Sequence, residues 1–418
     1  MPGYSQYVIV RPVMETRIDT IKDGTVTTPR GFHAGATAAG IKHVGSDKLD
    51  LGILFSQEPC VTAGLFTTSR IKSAPVLLCQ ECLKKGRALT VVVNSGCANA
   101  STGKQGLADA AEMASLTAKA IGVDPEEVLV ASTGVIGQRL PMERIREGLN
   151  HISLSDNGGH ELARAMMTTD TVPKEIAVAF EVEGSLFTIG GVVKGSGMIH
   201  PNMATLLCFL TTDAAVEPAF LHEALRRAGD ISFNMVSIDG DTSPSDTLLL
   251  LANGMAGNTP IVSGSPSADL FQQALDRACV HLAKAVARDG EGATRLLEVT
   301  VNGAKSRTDA AQAARTIVSS PLWKTAVYGR DPNWGRVVAA LGRSGAEVEE
   351  TRLDVRIGEI LVLKGGMPQP YDESDVVWVM ERDEVPVTLE LNLGTASATA
   401  WGCDLTEKYV MINSQYTT

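Results

Sequence analysis

The stretch KGSGMIHPNMATLLCFLTTD, residues 194–213, decides how the rest of the chain is read. It begins as a loop rich in Gly, Pro and Asn and runs through one small residue, Ala204, into Thr205. The apolar run Leu206-Leu207-Cys208-Phe209-Leu210 that follows has the composition of a buried strand. A threonine at this boundary has two readings. Its β-branched side chain suits a pleated surface. Its hydroxyl, held where loop gives way to strand, is equally placed as a nucleophile.

Working outward, strand-like runs alternate with helical patterns. The strand-like runs are Leu89–Asn94, Glu127–Ala131, Glu175–Val182, Ser185–Val193, Thr247–Leu251, Leu296–Val301, Leu353–Ile357 and Val387–Leu393. Helical spacing covers about 106–121, 142–152, 217–228 and 268–288, with Ser267 as the cap candidate of the last. Tight hairpins are expected at Glu183-Gly184-Ser185-Leu186 and Ile357-Gly358-Glu359-Ile360, and a surface loop at 257–267. The pattern predicts a mixed α/β main body. A smaller strand-rich unit is expected at about 293–405, where strands dominate.

With 418 residues, 44% hydrophobic and 20% charged, the chain is long enough for two or three packed units around a large core. A net charge of −11 argues against a nucleic-acid surface, which needs clustered Lys and Arg. The seven cysteines, at 60, 79, 82, 97, 208, 279 and 403, do not form a disulfide framework and suit a reducing compartment. Cys79 and Cys82 lack a second pair at zinc-finger spacing and read as structural. The N-terminus has no basic start followed by a long apolar run, so no signal peptide is expected. Long uncharged stretches are broken by Gly, Asn and Pro, so no membrane span is expected either. The expectation is a soluble cytoplasmic protein.

Several familiar chemistries fail on spacing. The segment from Gly96 to Gln105 looks like a phosphate loop, but its glycines are too far apart and Gln105 stands where a metal-binding Ser or Thr belongs. Lys194-Gly195-Ser196-Gly197 lacks the flanks of a nucleophile elbow. No histidine pair has H-E-x-x-H spacing. Asp239, Asp241 and Asp246 in DGDTSPSD lack the glycine and glutamate of an EF-hand loop and read as a turn held by Asp side chains.

What remains is an ordered series of Thr, Gly, Lys and Glu sites. It includes Arg30-Gly31-Phe32, Asn94-Ser95-Gly96-Cys97-Ala98-Asn99-Ala100, Ser132-Thr133-Gly134-Val135-Ile136-Gly137 and Met167-Thr168-Thr169-Asp170-Thr171. It continues with Lys194-Gly195-Ser196-Gly197-Met198-Ile199, Asn202-Met203-Ala204-Thr205, Asp289-Gly290-Glu291-Gly292-Ala293 and Asp331-Pro332-Asn333-Trp334-Gly335-Arg336. The chain resembles the ornithine acetyltransferase family over nearly its full length. That family moves an acetyl group from N2-acetylornithine to glutamate in arginine biosynthesis. Cys97 departs from it, since members more often carry Asn there, and the first tens of residues look like an extension.

The resemblance implies a layered αββα-type sandwich of the ornithine acetyltransferase/aminopeptidase-like fold. It implies self-cleavage between Ala204 and Thr205, giving an alpha chain 1–204 and a beta chain 205–418 that assemble as a heterotetramer of two of each. Thr205 is then the nucleophile. Once cut, its nitrogen is an α-amine with a pKa of about 7.7–8.0, able to serve as its base. Thr133 and Gly134 are implied as oxyanion donors, although a bare Thr-Gly reads as a turn. Thr168, Lys194, Thr205, Glu291, Asn413 and Thr418 are implied as substrate contacts, although Lys194 and Glu291 alone read as surface charges. A tail, 406–418, is expected to return to the active site, with Val410-Met411-Ile412 docking as a strand. The resemblance requires no metal or tightly bound cofactor, and acetyl-CoA is a second donor in bifunctional members. Two other readings stand beside it: an N-terminal-nucleophile amidohydrolase or aminopeptidase, and a non-catalytic binding protein on the same fold.

Overall fold

Strands of the uniform hydrophobicity seen at 247–252 must be covered on both faces, and the architecture follows from that requirement. The computed structural model describes residues 18–182, 184–200 and 206–415. Its strands are β1 (Ile18–Ile21), β2 (Phe32–Thr37), β3 (Leu51–Phe66), β4 (Arg87–Asn94), β5 (Val128–Ser132), β6 (Lys174–Val182), β7 (Ser185–Lys194) and β8 (Leu207–Thr212). They continue as β9 (Val236–Ser237), β10 (Thr247–Ala252), β11 (Leu296–Ala304), β12 (Asp354–Ile357), β13 (Ile360–Lys364), β14 (Met367–Pro368), β15 (Glu384–Glu390) and β16 (Ala396–Cys403). The helices are α1 (Ala74–Cys82), α2 (Gly103–Ile121), α3 (Met142–Leu149), α4 (Gly159–Met166), α5 (Pro218–Ile231) and α6 (Pro266–Arg288). After them come α7 (Arg307–Val318), α8 (Pro321–Gly329), α9 (Gly335–Gly342), α10 (Glu373–Met380) and α11 (Glu407–Gln415).

One mixed sheet runs β1-β6-β7-β8-β10-β3-β4-β5, and a second runs β14-β13-β12-β15-β11-β16-β9. The mixed α/β reading holds. The long β3 pairs with β2 through its first half and with β10 through its second. At its centre, Ser56-Gln57-Glu58-Pro59 forms a register shift within one strand, against β4. Val182 stands opposite Ser185 and Ile357 opposite Ile360, in the antiparallel pairs of the two expected hairpins.

Helix α6 joins the two sheets. It packs on β6 and β7 of the first and on β9, β11 and β16 of the second. Its buried stripe, including Phe271, Leu275, Leu282 and Val286, belongs to a core that reaches from Ala63 to Cys403. Phe271 meets Phe180 and Phe220 with ring centroids 6.1 and 5.9 Å apart, tying α6 to β6 and α5. On the far side of the first sheet, α4 lies against β2, β3 and β7.

Three expectations need correction. The cap of α6 is Ser265, whose hydroxyl accepts the Ala268 N–H at 3.2 Å, because Pro266 starts the helix earlier than Ser267 allows. Beyond residue 290, helices α7 to α10 interleave with the strands, since the second sheet also needs an apolar cover. The Val410-Met411-Ile412 run is helical, within α11, and leaves Val410 and Met411 exposed; three apolar residues in a row fit a strand pattern, whereas the helix sets Asn413, itself exposed, within hydrogen-bond reach of Glu291. The seven cysteines are free, and the buried Cys79 thiol donates to the Val130 carbonyl.

Replacing Phe271 by Ala should lower stability by about 3–5 kcal/mol, because a fully buried ring that bridges three elements leaves a cavity. Urea unfolding of the purified protein checks it, and a loss under 1 kcal/mol would contradict the packing described.

Candidate active site

The end of β5 creates the first wall of the site. Ser132 stands opposite Asn94 in the parallel β4–β5 pair, and its hydroxyl donates to Asn94 Oδ1 at 2.6 Å. Asn94 in turn donates to the Cys97 carbonyl at 2.9 Å and accepts the Thr133 N–H on its own carbonyl at 3.0 Å. Val135 N–H is spent on the Gly96 carbonyl at 3.3 Å. Between them, Gly134 has φ +124°, and a Cβ there would stand 2.4 Å from the Gly96 carbonyl carbon. Only glycine fits. Among the described residues no hydrogen bond uses the Gly134 N–H, so it is available to a ligand.

Lys194 ends β7, opposite Leu207 at the start of β8, and its ammonium donates to the Thr133 hydroxyl at 3.3 Å. It is only 8% exposed, so it is no surface charge. Burial pushes its pKa down, and the Asp170 carboxylate works against that shift.

Behind it lies a buried ionic cluster. Lys174 at the start of β6 donates to Asp170 at 2.7 Å and to Asp289 at 2.6 Å. Asp170 also accepts Gly195 N–H at 2.7 Å and Thr168 N–H at 3.1 Å. Asp289 accepts Thr171 N–H at 3.0 Å, and its carbonyl takes the Ser196 hydroxyl at 2.6 Å. The Ser196 carbonyl then accepts Glu291 N–H at 2.8 Å. Burial works to raise the Asp170 pKa, but Lys194, Lys174 and the Gly195 N–H override it and hold the carboxyl at about 2.

Glu291 follows α6 and is 7% exposed. Its carboxylate accepts the Asn413 amide of α11 at 2.7 Å, which brings the tail to the site. One pocket is lined by Thr133, Gly134, Thr168, Lys194, Glu291 and Asn413 together. Ala204, Thr205 and Thr418 lie outside the described residues.

The same pocket has a wall that sequence reasoning did not place in it. Asp239, Asp241, Ser243, Ser245 and Asp246 line it from the loop between β9 and β10. The Asp-held turn is there: Asp239 accepts Met198 N–H at 2.6 Å and Ile199 N–H at 2.9 Å. The missed signal was the density of carboxylates and hydroxyls just before an apolar strand.

A mixed α/β scaffold carrying one polar pocket, with a buried ammonium, a buried carboxylate and an unspent backbone N–H, is that of an enzyme for small polar molecules. The chain belongs to the ArgJ family, whose model matches residues 33–418. It is 51% identical to the arginine biosynthesis bifunctional protein ArgJ of Dehalococcoides mccartyi over 97% of this chain and 100% of that protein. It is 52% identical to the protein of the same name from Symbiobacterium thermophilum, over 94% and 99% of the two. Among solved structures, the ornithine acetyltransferase of Mycobacterium tuberculosis complexed with ornithine is 39% identical, with TM-score 0.42, over 46% of this chain and 100% of that one. No helix among the described residues is long and apolar enough to cross a membrane.

The depressed Asp170 pKa sets a pH dependence of stability. Between pH 3.8 and about 2 the unfolded chain binds a proton that the folded one refuses. This group therefore contributes stability that is complete above pH 3.8 and falls away, by roughly 2–3 kcal/mol, as the pH drops through that window. Asp170→Asn should remove this part of the dependence. It should also cost about 3–5 kcal/mol at pH 7, because the Lys174 charge loses one of its carboxylates. Urea titrations at several pH values compare the two proteins.

Proposed function

We propose that this chain, an enzyme of arginine biosynthesis and a glutamate N-acetyltransferase, carries the acetyl group from N2-acetylornithine to glutamate as an ester on Thr205. The threonine is freed by self-cleavage after Ala204. The carrying observation is that one pocket collects all six of the described residues assigned to this chemistry.

In this reading Thr205 attacks the acetyl carbonyl, and its own α-amine takes the hydroxyl proton. The Thr133 hydroxyl and the Gly134 N–H receive the developing oxyanion. Lys194 meets the α-carboxylate of the bound amino acid, with Thr168 beside it. Glu291, held by Asn413, meets the ornithine side-chain ammonium, and the Thr418 carboxylate adds to it. Ornithine leaves, and glutamate enters the same pocket to take the acetyl group in a ping-pong sequence. That the relatives are called bifunctional supports acetyl-CoA as a second donor.

Strands β7 and β8, on either side of the cut, pair from Ile189 to Lys194 and share one core. An alpha chain 1–204 and a beta chain 205–418 thus stay associated, and two of each form a heterotetramer in the cytoplasm. Mass spectrometry of active protein should show fragments of 204 and 214 residues. An active preparation containing only uncut chain would overturn this mechanism.

The assay is direct. Purified protein with N2-acetylornithine and glutamate should yield acetylglutamate and ornithine, and a parallel tube with acetyl-CoA reads the second donor. Release of free acetate without acetylglutamate would instead identify a hydrolase. Thr205→Ala should abolish cleavage and transfer together, and Thr133→Ala should lower turnover by roughly 10²–10³-fold in a folded protein. Asn413→Ala should raise KM for N2-acetylornithine more than it lowers kcat, since it frees Glu291 rather than removing an oxyanion donor. Unchanged KM would detach the tail from substrate binding.

A further inference from the structure

The donor and acceptor of the reaction proposed above, on which this inference rests, differ at their side-chain ends: ornithine carries an ammonium and glutamate a carboxylate. Glu291, with Asp239, Asp241 and Asp246 in the same lining, suits the first. The same carboxylates repel the second, and burial strengthens that repulsion because little water screens it. The acceptor's side chain therefore needs a cationic place within reach of the wall where its amine reacts.

A second pocket supplies one. It shares Gly134 and Thr168 with the first, and its lining carries Lys42, His43 and Lys48. Among the described residues its one carboxylate is Asp50, only 7% exposed, which is spent on the backbone. Asp50 Oδ1 accepts Ala39 N–H at 2.7 Å and Oδ2 accepts Ile41 N–H at 2.6 Å. The pocket is thus basic where its neighbour is acidic. His43 and Lys48 are exposed, so it is open to an entering acceptor.

The loop bearing these cations is anchored. Arg144 donates to the Gly40 carbonyl at 2.8 Å, and a Cβ on Gly96, whose φ is +97°, would stand 2.9 Å from Lys42 Cβ. Lys42 is therefore pressed against the loop after β4 that flanks Gly134. Lys48 crosses to the other wall, where its ammonium donates to the Thr168 carbonyl at 3.2 Å. Thr168 N–H is itself tied to Asp170 at 3.1 Å, so this lysine rests on a residue that the buried ionic cluster holds.

We propose that this basic pocket receives the side-chain carboxylate of the acceptor glutamate, with Lys48 and Lys42 as its partners. Donor and acceptor both set their α-carboxylate on Lys194. Their side chains part beyond the α-carbon, ornithine's toward Glu291 and glutamate's past Gly134 toward Lys48. One wall then serves two substrates of opposite side-chain charge, and neither meets a like charge. Length also fits. A glutamate side chain is only a few bonds long, so its carboxylate falls in the pocket adjoining the reacting amine. The phosphates of acetyl-CoA lie a whole pantetheine arm from its thioester and would overshoot a pocket that abuts Gly134.

The test is acceptor kinetics on purified full-length protein saturated with N2-acetylornithine. In a ping-pong sequence kcat/KM for the acceptor reports the second half alone, so glutamate is compared directly with glutamine, its uncharged isostere. Wild type should favour glutamate. Lys48→Met should lower kcat/KM for glutamate roughly 10–100-fold, mainly through KM, and move that for glutamine less than about threefold. Lys42→Met should act in the same direction, and Lys48→Arg should keep most of the preference. Equal losses for both acceptors in Lys48→Met would mark a structural lysine and overturn the proposal. So would an unchanged preference, or a wild type that takes glutamine as well as glutamate. A defect confined to KM for acetyl-CoA would give the pocket to phosphates and overturn it too. A wild type that makes no acetylglutamate from N2-acetylornithine would instead overturn the proposed reaction, and this role with it.

Discussion

The site depends on a single buried ammonium. Lys174 lies between Asp170 and Asp289, and each carboxylate spends its remaining lone pairs on the backbone of a different loop. Through Asp170 the cluster fixes the loop carrying Thr168 and the turn after Lys194. Through Asp289 and Ser196 it fixes the segment leading to Glu291. Three stretches far apart in the chain thus share one electrostatic anchor. Such a cluster is costly to desolvate and is tolerated only when every member is paired. That makes it rigid, and rigidity is what a pocket that must hold donors within a few tenths of an ångström requires.

Charge in the pocket is asymmetric. Lys194 stands against Thr133, while Asp239, Asp241, Asp246 and Glu291 occupy other parts of the lining. A ligand with a carboxylate at one end and an ammonium at the other matches this layout better than a neutral one. The backbone supports the same division. Gly134, in the pocket wall, has a positive φ and an N–H without a partner among the described residues, and Asp239 uses its carboxylate to hold the 198–199 turn.

Much of the scaffold was legible residue by residue. The apolar runs at 89–94, 185–193 and 247–251 are β4, β7 and β10 to within a residue or two, because uniform hydrophobicity over so short a span leaves few alternatives. Legibility failed where local pattern and global environment disagree. The long β3 has no counterpart among the expected strands, and its centre, Ser56-Gln57-Glu58-Pro59, is a register shift against β4. The apolar triplet 410–412 fits a strand, yet it lies in α11, from which Asn413 reaches Glu291. Lys194 and Glu291 read as surface charges since nothing near them in sequence hints at their partners, which come from residues 170 and 413.

The sequence by itself determined the mixed α/β class, individual elements such as β4, β7 and β10, and the short list of residues worth suspecting. Those follow from local physics: side-chain periodicity, caps and turn chemistry act over a few residues. Tertiary structure alone decided that Thr133, Thr168, Lys194, Glu291 and Asn413 share one pocket, and that Asp246 joins them. The reason is that convergence is set by strand register and by a buried ion cluster, which pair residues 40 positions apart (Leu207 with Thr247) and 115 apart (Lys174 with Asp289). Neither leaves a mark on its immediate neighbours in the chain.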